Sequence, residues 1–340
     1  MTGLERVTNL LAGERVDRPP VLPMLHTGLA GLFGLSLREF FTQADVMARV
    51  IVEGYRRFGY DGVQLTLGVI GEAEALGAAV DLTADGGPAL KERLLDDLAS
   101  LDRLRWRNPV AGGRMPLFFS AVEQVARQIG GEAFILATLR GPLLIASQLR
   151  GAENILVDML EDPDAVTRML EFTSEVALKV ARAALAAGAH GLLLGEATCS
   201  PSFISPALYR DLVLPHHRRL VAEIKEAGWR CVGLHVCGNT AAIFEDMIST
   251  GVDFLDVDYL VSAEKAIALA RGRVALRGNL DPSAVFRFGS PDRVRTDTAA
   301  LCKSVAGTRW IIGSGCDIPP GTPAENIAAC VETVRAFACG

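Results

Sequence analysis

Eight short apolar runs, each followed by a stretch of helical periodicity, constrain this chain more than any other feature. The runs are 21–25 (VLPML), 62–67 (GVQLTL), 133–138 (AFILAT), 190–196 (HGLLLGE), 230–237 (RCVGLHVC), 254–260 (FLDVDYL), 274–280 (VALRGNL) and 310–316 (WIIGSGC). Several are nearly apolar throughout, as strands buried on both faces should be. Helix signals lie between them. Ser36 opens a periodic stretch that ends at Gly59, and Asp162-Pro163 opens a long helix ending at Ala187-Gly188. Ser205-Pro206 starts another, which Pro215 kinks or divides, and Ser290-Pro291 starts the next. Thr322-Pro323-Ala324-Glu325 predicts a capping box with proline at the first helical position.

This alternation predicts an α/β fold of the (β/α)8 TIM-barrel type, with residues 1–340 as a single domain. Residues 71–132 are too long for one connection. They are expected to insert extra helices between the second and third strands, with a small hairpin around Asp85-Gly86-Gly87. The competing architecture is a doubly wound open sheet, which wants a Gly-rich phosphate turn after its first strand. HTGLAGLFG at that place is a poor match.

Half of the residues are hydrophobic, enough for a large core. The net charge is −6 and no segment pools Lys and Arg, which argues against a nucleic-acid partner or an anionic membrane surface. The N-terminal stretch is too charged for a secretory signal, and no apolar run reaches the roughly 20 residues of a membrane span. A cytoplasmic location is therefore expected. In a reducing compartment the seven cysteines are thiols or metal ligands rather than a disulfide frame.

Barrel active sites lie at the C-terminal ends of the strands. There the fifth run carries His235 and Cys237, which share a side because they are two apart on an extended chain. The eighth run ends in Cys316, flanked by Gly313 and Gly315. One imidazole and two thiolates suit zinc with an open fourth position. The bland alternative is that the cysteines pack as small hydrophobes. Glu196, at the end of the fourth run, is either a fourth, exchangeable ligand or proton acceptor, or a carboxylate satisfied by backbone amides. Asp256, Asp258, Asn279 and Asp281 are the other polar residues at strand ends. Cys199 reads as a loop thiol, Cys231 as barrel filling, and Cys302, Cys330 and Cys339 as packing. His26 is open between substrate contact and a solvated loop, whereas His216 and His217 read as surface or capping residues.

At these residues the chain resembles the uroporphyrinogen decarboxylase superfamily, and within it the methylcobamide:coenzyme M methyltransferase branch. The resemblance runs from Glu5-Arg6-Val7 and Gly13–Pro20, through Glu72–Gly77 and Ser205-Pro206 with Leu214-Pro215, to Gly278–Pro282. Its most specific parts are Leu234–Thr240 and Gly313–Pro323, which look like the H-x-C-x(n)-C zinc motif of thiol-alkylating methyltransferases. The resemblance implies a (β/α)8 fold and zinc on His235, Cys237 and Cys316. It further implies methyl transfer from a methylated corrinoid (a cobalamin) to a thiol such as coenzyme M. No D-x-H-x-x-G stretch is present, so the donor is expected on a separate corrinoid protein. Uroporphyrinogen decarboxylases carry arginine after the first strand to grip the substrate's carboxylates. Met24–Ala30 has none, which argues against that activity. A metal-free decarboxylase and a non-catalytic binding barrel remain as competing readings.

Overall fold

Parallel strands need long crossovers, and the helices between the apolar runs supply them. The computed structural model describes residues 1–83 and 86–337. Its strands are β1 Gly62–Leu65, β2 Val80–Asp81, β3 Ala89–Leu90, β4 Phe134–Arg140, β5 Gly191–Gly195, β6 Val232–His235, β7 Phe254–Val257, β8 Ala275–Leu280 and β9 Trp310–Ser314. Seven form one parallel sheet in the order β1-β4-β5-β6-β7-β8-β9, while β2 and β3 pair antiparallel on their own.

The sheet is curled. Cys237 follows β6 and Cys316 follows β9, three strands along, yet their sulfurs are 3.9 Å apart. In a flat sheet three strand spacings would separate them by about 14 Å. The two edges also approach one residue. Val21 makes a parallel bridge to Ile312, Ile312 N donates to Pro20 O (2.8 Å), and Asp61 N, just before β1, donates to Val21 O (2.7 Å). The strand expected at 21–25 is thus a single bridge. Pro20 and Pro23 lack the N–H groups that would extend a ladder.

Inside the curl, Leu22, Phe134, Leu136, Leu193, Cys231, Phe254 and Ile311 form a closed apolar cluster away from the strand ends. Cys231 therefore fills the interior, as expected. Between β1 and β4 lie the helix Gly71–Ala75, the β2–β3 pair, a 3-10 stretch at Leu98–Leu104 and the helix Met115–Ile129. Asp85, at the expected hairpin, and Cys339 lie outside the described residues. No described helix is long and apolar enough to cross a membrane.

Several helix signals act as read. Ser36 caps with Glu39 in a capping box, and Asp162, Ser205 and Ser290 each accept a backbone N–H at their helix starts. Two differ. The stretch from Ser36 breaks at Gln43 into Leu37–Thr42 and Ala44–Phe58. The box at Thr322 does not form, because its hydroxyl donates to Pro319 O and the helix begins at Ala324.

Asp61 holds the seam. Its carboxylate, 3% exposed, accepts from Arg6, from Arg18 (2.7 and 2.9 Å) and from Val21 N (2.7 Å). Removing one partner of a buried ion network leaves charge uncompensated. Asp61→Ala should therefore cost about 3–5 kcal/mol in denaturant unfolding, with the midpoint lowered.

Candidate active site

The strand register assembles the site. Asp256 on β7 pairs with Arg277 on β8, Arg140 on β4 with Gly195 on β5, and Gly195 with His235 on β6. Residues in register on a curled sheet point inward together, so one rung carries Arg140, Gly195 and His235. Arg277 forms a bidentate pair with Asp256 (Nε–Oδ1 2.7 Å, Nη2–Oδ2 2.6 Å), both fully buried. Asp256 Oδ2 in turn lies 3.1 Å from His235 Nδ1. A carboxylate on one ring nitrogen fixes the orientation of the other. His235 Nε2 accordingly faces the sulfurs, 3.1 Å from Cys237 Sγ and 3.9 Å from Cys316 Sγ.

These separations suit one shared ion. Zinc bonds of about 2.3 Å to sulfur and 2.0–2.1 Å to nitrogen, set tetrahedrally, place such ligand atoms about 3.6–3.8 Å apart. The three atoms lie within 4.8 Å of one another, and no carboxylate joins this group among the described residues. Without metal, the triad stores protons. Burial opposes charge on His235, but its hydrogen bonds to Asp256 and Cys316 raise it to about 9. The Cys237 hydrogen bond, with His235 nearby, lowers Cys316 to about 4 against burial. The same bond and burial push Cys237 up. A bound cation would displace protons from this set.

Glu196 is placed differently. It is completely buried, with Oε1 accepting from Leu143 N (3.0 Å) and Oε2 from Leu144 N (2.8 Å), at the start of the helix Pro142–Arg150. A helix N-terminus offers unpaired N–H groups to a carboxylate. Gly141 permits this approach, since any Cβ there would collide with the Glu196 carboxylate. His217 Nε2 lies 2.8 Å from Oε1, and Tyr209 Oη lies 3.1 Å from His217 Nδ1. Glu196 still lines the cavity below, but it groups with Cys199 and His217 rather than with the two cysteines of the triad. Only 1% exposed, His217 is not the surface or capping residue expected, because the π-helical turn Tyr209–Val213 before Pro215 rotates it inward onto Glu196. Half-buried His216 stays beside it without entering this network. Cys199 is fully buried and pushed well up by burial and Glu196. Cys302 and Cys330 are buried in helices.

The remaining strand-end groups shape loops. Asp258 accepts from Gly238 N and Leu260 N (2.8 and 2.9 Å), Asp281 from Ser283 N and Ala284 N (both 2.8 Å), and Asn279 donates to Val261 O (2.7 Å). His26 is buried. Its Nδ1 accepts from Thr27 N, its Nε2 lies 3.4 Å from Asp317 Oδ1, and burial with Arg140 and Arg277 holds it down to about 3, neutral.

Above the triad lies a cavity of about 270 Å³, lined by His26, Gln64, Thr138, Arg140, Glu196 and the triad among others. Sequence reading missed Arg140, Gln64 and Arg277. The available signal was a polar residue at every second place in an otherwise apolar run, Gln64 in GVQLTL and Arg277 in VALRGNL. Arg140 fell just past the expected end of its strand at 138, whereas β4 runs to Arg140.

The family model described as Uroporphyrinogen decarboxylase (URO-D) matches residues 2–337. The chain belongs to the uroporphyrinogen decarboxylase family. Within this family, the methylcobamide:CoM methyltransferase MtbA of Methanosarcina mazei is 26% identical over 342 residues, covering 99% of this chain and 98% of its own. A uroporphyrinogen decarboxylase of Synechococcus sp. (strain CC9605) is 24% identical over 327 residues, 92% of this chain and 91% of its own. A solved structure of a methyltransferase from Methanosarcina mazei matches at a TM-score of 0.91 over 98% of both chains, with 24% identity, which shows the fold. Identity barely separates two activities within the URO-D family, so side chains rather than overall likeness distinguish them.

The Asp256 contact yields a direct expectation. Asp256→Asn should weaken zinc binding about 10–100-fold, measured by competition with a chromophoric chelator, while the far-UV spectrum stays native.

Proposed function

We propose that this protein is a zinc-dependent methyltransferase, moving a methyl group from a methylated corrinoid on a partner protein to a small thiol such as coenzyme M. The sheet is read as a (β/α)8 barrel, with Val21 standing for the first strand and the whole chain as one domain. The observation that carries the reading is the convergence of His235, Cys237 and Cys316 on one point at the strand ends, with separations that fit a shared ion.

A free thiol has a pKa of about 8.5 and is mostly protonated at neutral pH. Bound zinc would supply the Lewis acidity that deprotonates the acceptor and presents its sulfur. The chain's residues do the rest. Asp256, braced by Arg277, holds His235 Nε2 toward the sulfurs. Two thiolates and a neutral imidazole leave a dication formally neutral, so an incoming thiolate keeps nucleophilic character. The sulfur takes the methyl group, its proton leaves, and the pair of the cobalt–carbon bond stays with the donor. Glu196 already has three partners, which leaves the fourth position to the acceptor.

The cavity supports a small acceptor. At about 270 Å³ it lies just below the range of about 300–1,000 Å³ typical of clefts for drug-sized ligands, so a corrin ring must approach from outside. Exposed apolar side chains ride on the segments after β1 (Val69), β5 (Phe203), β7 (Tyr259, Leu260) and β8 (Phe288). They offer apolar surface to a docking corrinoid protein. Nothing in Met24–Ala30 supports the decarboxylase alternative, because that segment has no arginine for a polycarboxylate.

The test is metal analysis with turnover. The purified protein should hold about one zinc per chain and methylate coenzyme M with free methylcobalamin, followed by the cobalt spectrum. Cys237→Ser and Cys316→Ser should each lose most of the zinc and lower kcat/KM by about a hundredfold or more. A metal-free wild type with full activity would refute the reading.

A further inference from the structure

The β7 segment carries two carboxylates, Asp256 and Asp258, and each reaches across to the chain that leaves β6. Asp256 Oδ2 lies 3.1 Å from His235 Nδ1. Asp258, 4% exposed, accepts from Gly238 N through Oδ2 (2.8 Å) and from Leu260 N through Oδ1 (2.9 Å). The first of these amides directly follows Cys237, and the second belongs to the turn that Asp258 itself begins. Hydrogen bonds to an ionised acceptor are about twice as strong as neutral ones, so this carboxylate ties the two segments firmly. Gly238 takes a φ of 88°, which glycine adopts without steric cost, so the chain turns sharply as it leaves Cys237.

The turn is closed by Val261 N, which donates to Asp258 O (2.9 Å), and Asn279 on β8 donates to Val261 O (2.7 Å). Its other flank meets the chain that leads to Cys316. A Cβ added to Gly315 would lie 2.5 Å from Tyr259 N and 3.1 Å from the Asp258 carbonyl carbon. Backbone packs directly on backbone there, an approach that glycine permits. Gly315 N also donates to Leu280 O (2.8 Å) at the end of β8, which holds it in that place. Residues 258–261 thus touch the chain just after Cys237 and the chain just before Cys316, although the strands behind those cysteines lie three places apart in the sheet.

We propose that Asp258 is a positioning residue for the two sulfur ligands, its turn fixing Cys237 and Cys316 relative to each other as Asp256 fixes the imidazole. The inference rests on the zinc centre of the methyltransferase reading and goes beyond it, to what sets that centre's geometry. The Asp258 carboxylate fixes where the chain leaves Cys237. The backbone of the same turn fixes how closely the chain before Cys316 approaches. The resulting 3.9 Å between the sulfurs is near the spacing of about 3.8 Å that tetrahedral bonds to one zinc require, so the pair is placed before an ion arrives. Ligands placed beforehand bind more tightly because less ordering is left to the binding step. Asp258 also acts through its charge. It adds to the Cys316 hydrogen bond and to burial in pushing the Cys237 thiol up.

The experiment compares the wild type with Asp258→Asn, which keeps the size but offers a single acceptor oxygen, so that one of the two N–H groups loses its partner. Asp281→Asn serves as control, because that carboxylate also accepts two loop N–H groups, those of Ser283 and Ala284. Zinc affinity is read by competition with a chromophoric chelator, and the placement of the sulfurs by the thiolate-to-metal charge-transfer bands of the cobalt(II)-substituted protein. Asp258→Asn should bind zinc about 10–100-fold more weakly and lose charge-transfer intensity, whereas Asp281→Asn keeps both at wild-type values. If Asp258→Asn does not fold, Gly315→Ala, which presses on Tyr259 N from the other flank, should give the same cobalt signature. Wild-type affinity and bands in the folded variants, or an equal loss in Asp281→Asn, would overturn the proposal. A metal-free arm separates it from the reaction. Phenylarsine oxide condenses with two neighbouring thiols and releases water. The wild type should bind it, Cys237→Ser should not, and Asp258→Asn should bind it more weakly. If the wild type takes no zinc but keeps this pattern with the arsenical, the methyltransferase reading fails and the positioning role stands.

Discussion

Curvature of the parallel sheet is the constraint on which the rest depends. Cys237 and Cys316 follow strands separated by two others, and no local motif could bring Cys316 to Cys237. A doubly wound sheet with the same strands would leave them about 14 Å apart. The route from sequence to chemistry therefore passes through a global property. It rests on twisted strands, inward alternation, and a seam where Val21 and Asp61 join the two edges.

The interior has two unlike layers. Below, Phe134, Leu136, Leu193, Phe254 and Ile311 fill the space as an ordinary core. Above, Gln64, Thr138, Asp256 and Arg277 put charge and amide groups where apolar side chains would pack with less cost. A buried ion pair is weak evidence of stabilisation, since desolvation offsets much of its attraction. Its retention here has a different rationale. Arg277 keeps Asp256 ionised below the usual carboxylate range despite full burial, and Asp256 aims His235. The polar layer is the foundation of the site, set directly on a hydrophobic floor.

Much of this was legible in the sequence. The strand runs, the start caps at Ser36, Asp162, Ser205 and Ser290, and the shared side of His235 and Cys237 follow from periodicity and local chemistry. Other features escaped for identifiable reasons. The run at 21–25 looks like a strand by composition, but its prolines remove the donors of a ladder. His217 sits beside Pro215 in a sequence that suggests a helix break. The π-helical turn absorbs the break and buries the ring instead. Glu196 lies at the expected strand end, yet its oxygens meet amides of a helix that begins more than fifty residues earlier. Partners that distant are set by register alone, which no single-sequence pattern encodes.

The seam at Val21 has a mechanical meaning. Elsewhere adjacent strands pair along two to five residues, but here the two edges of the sheet are joined through one residue, a few backbone bonds and a carboxylate. Cys316 emerges from the strand beside that joint, and His235 and Cys237 emerge across the mouth. An ion held by all three would tie that edge strand to the opposite side, like a hoop on a cask. Loading the centre and keeping the vessel shut would then be a single event.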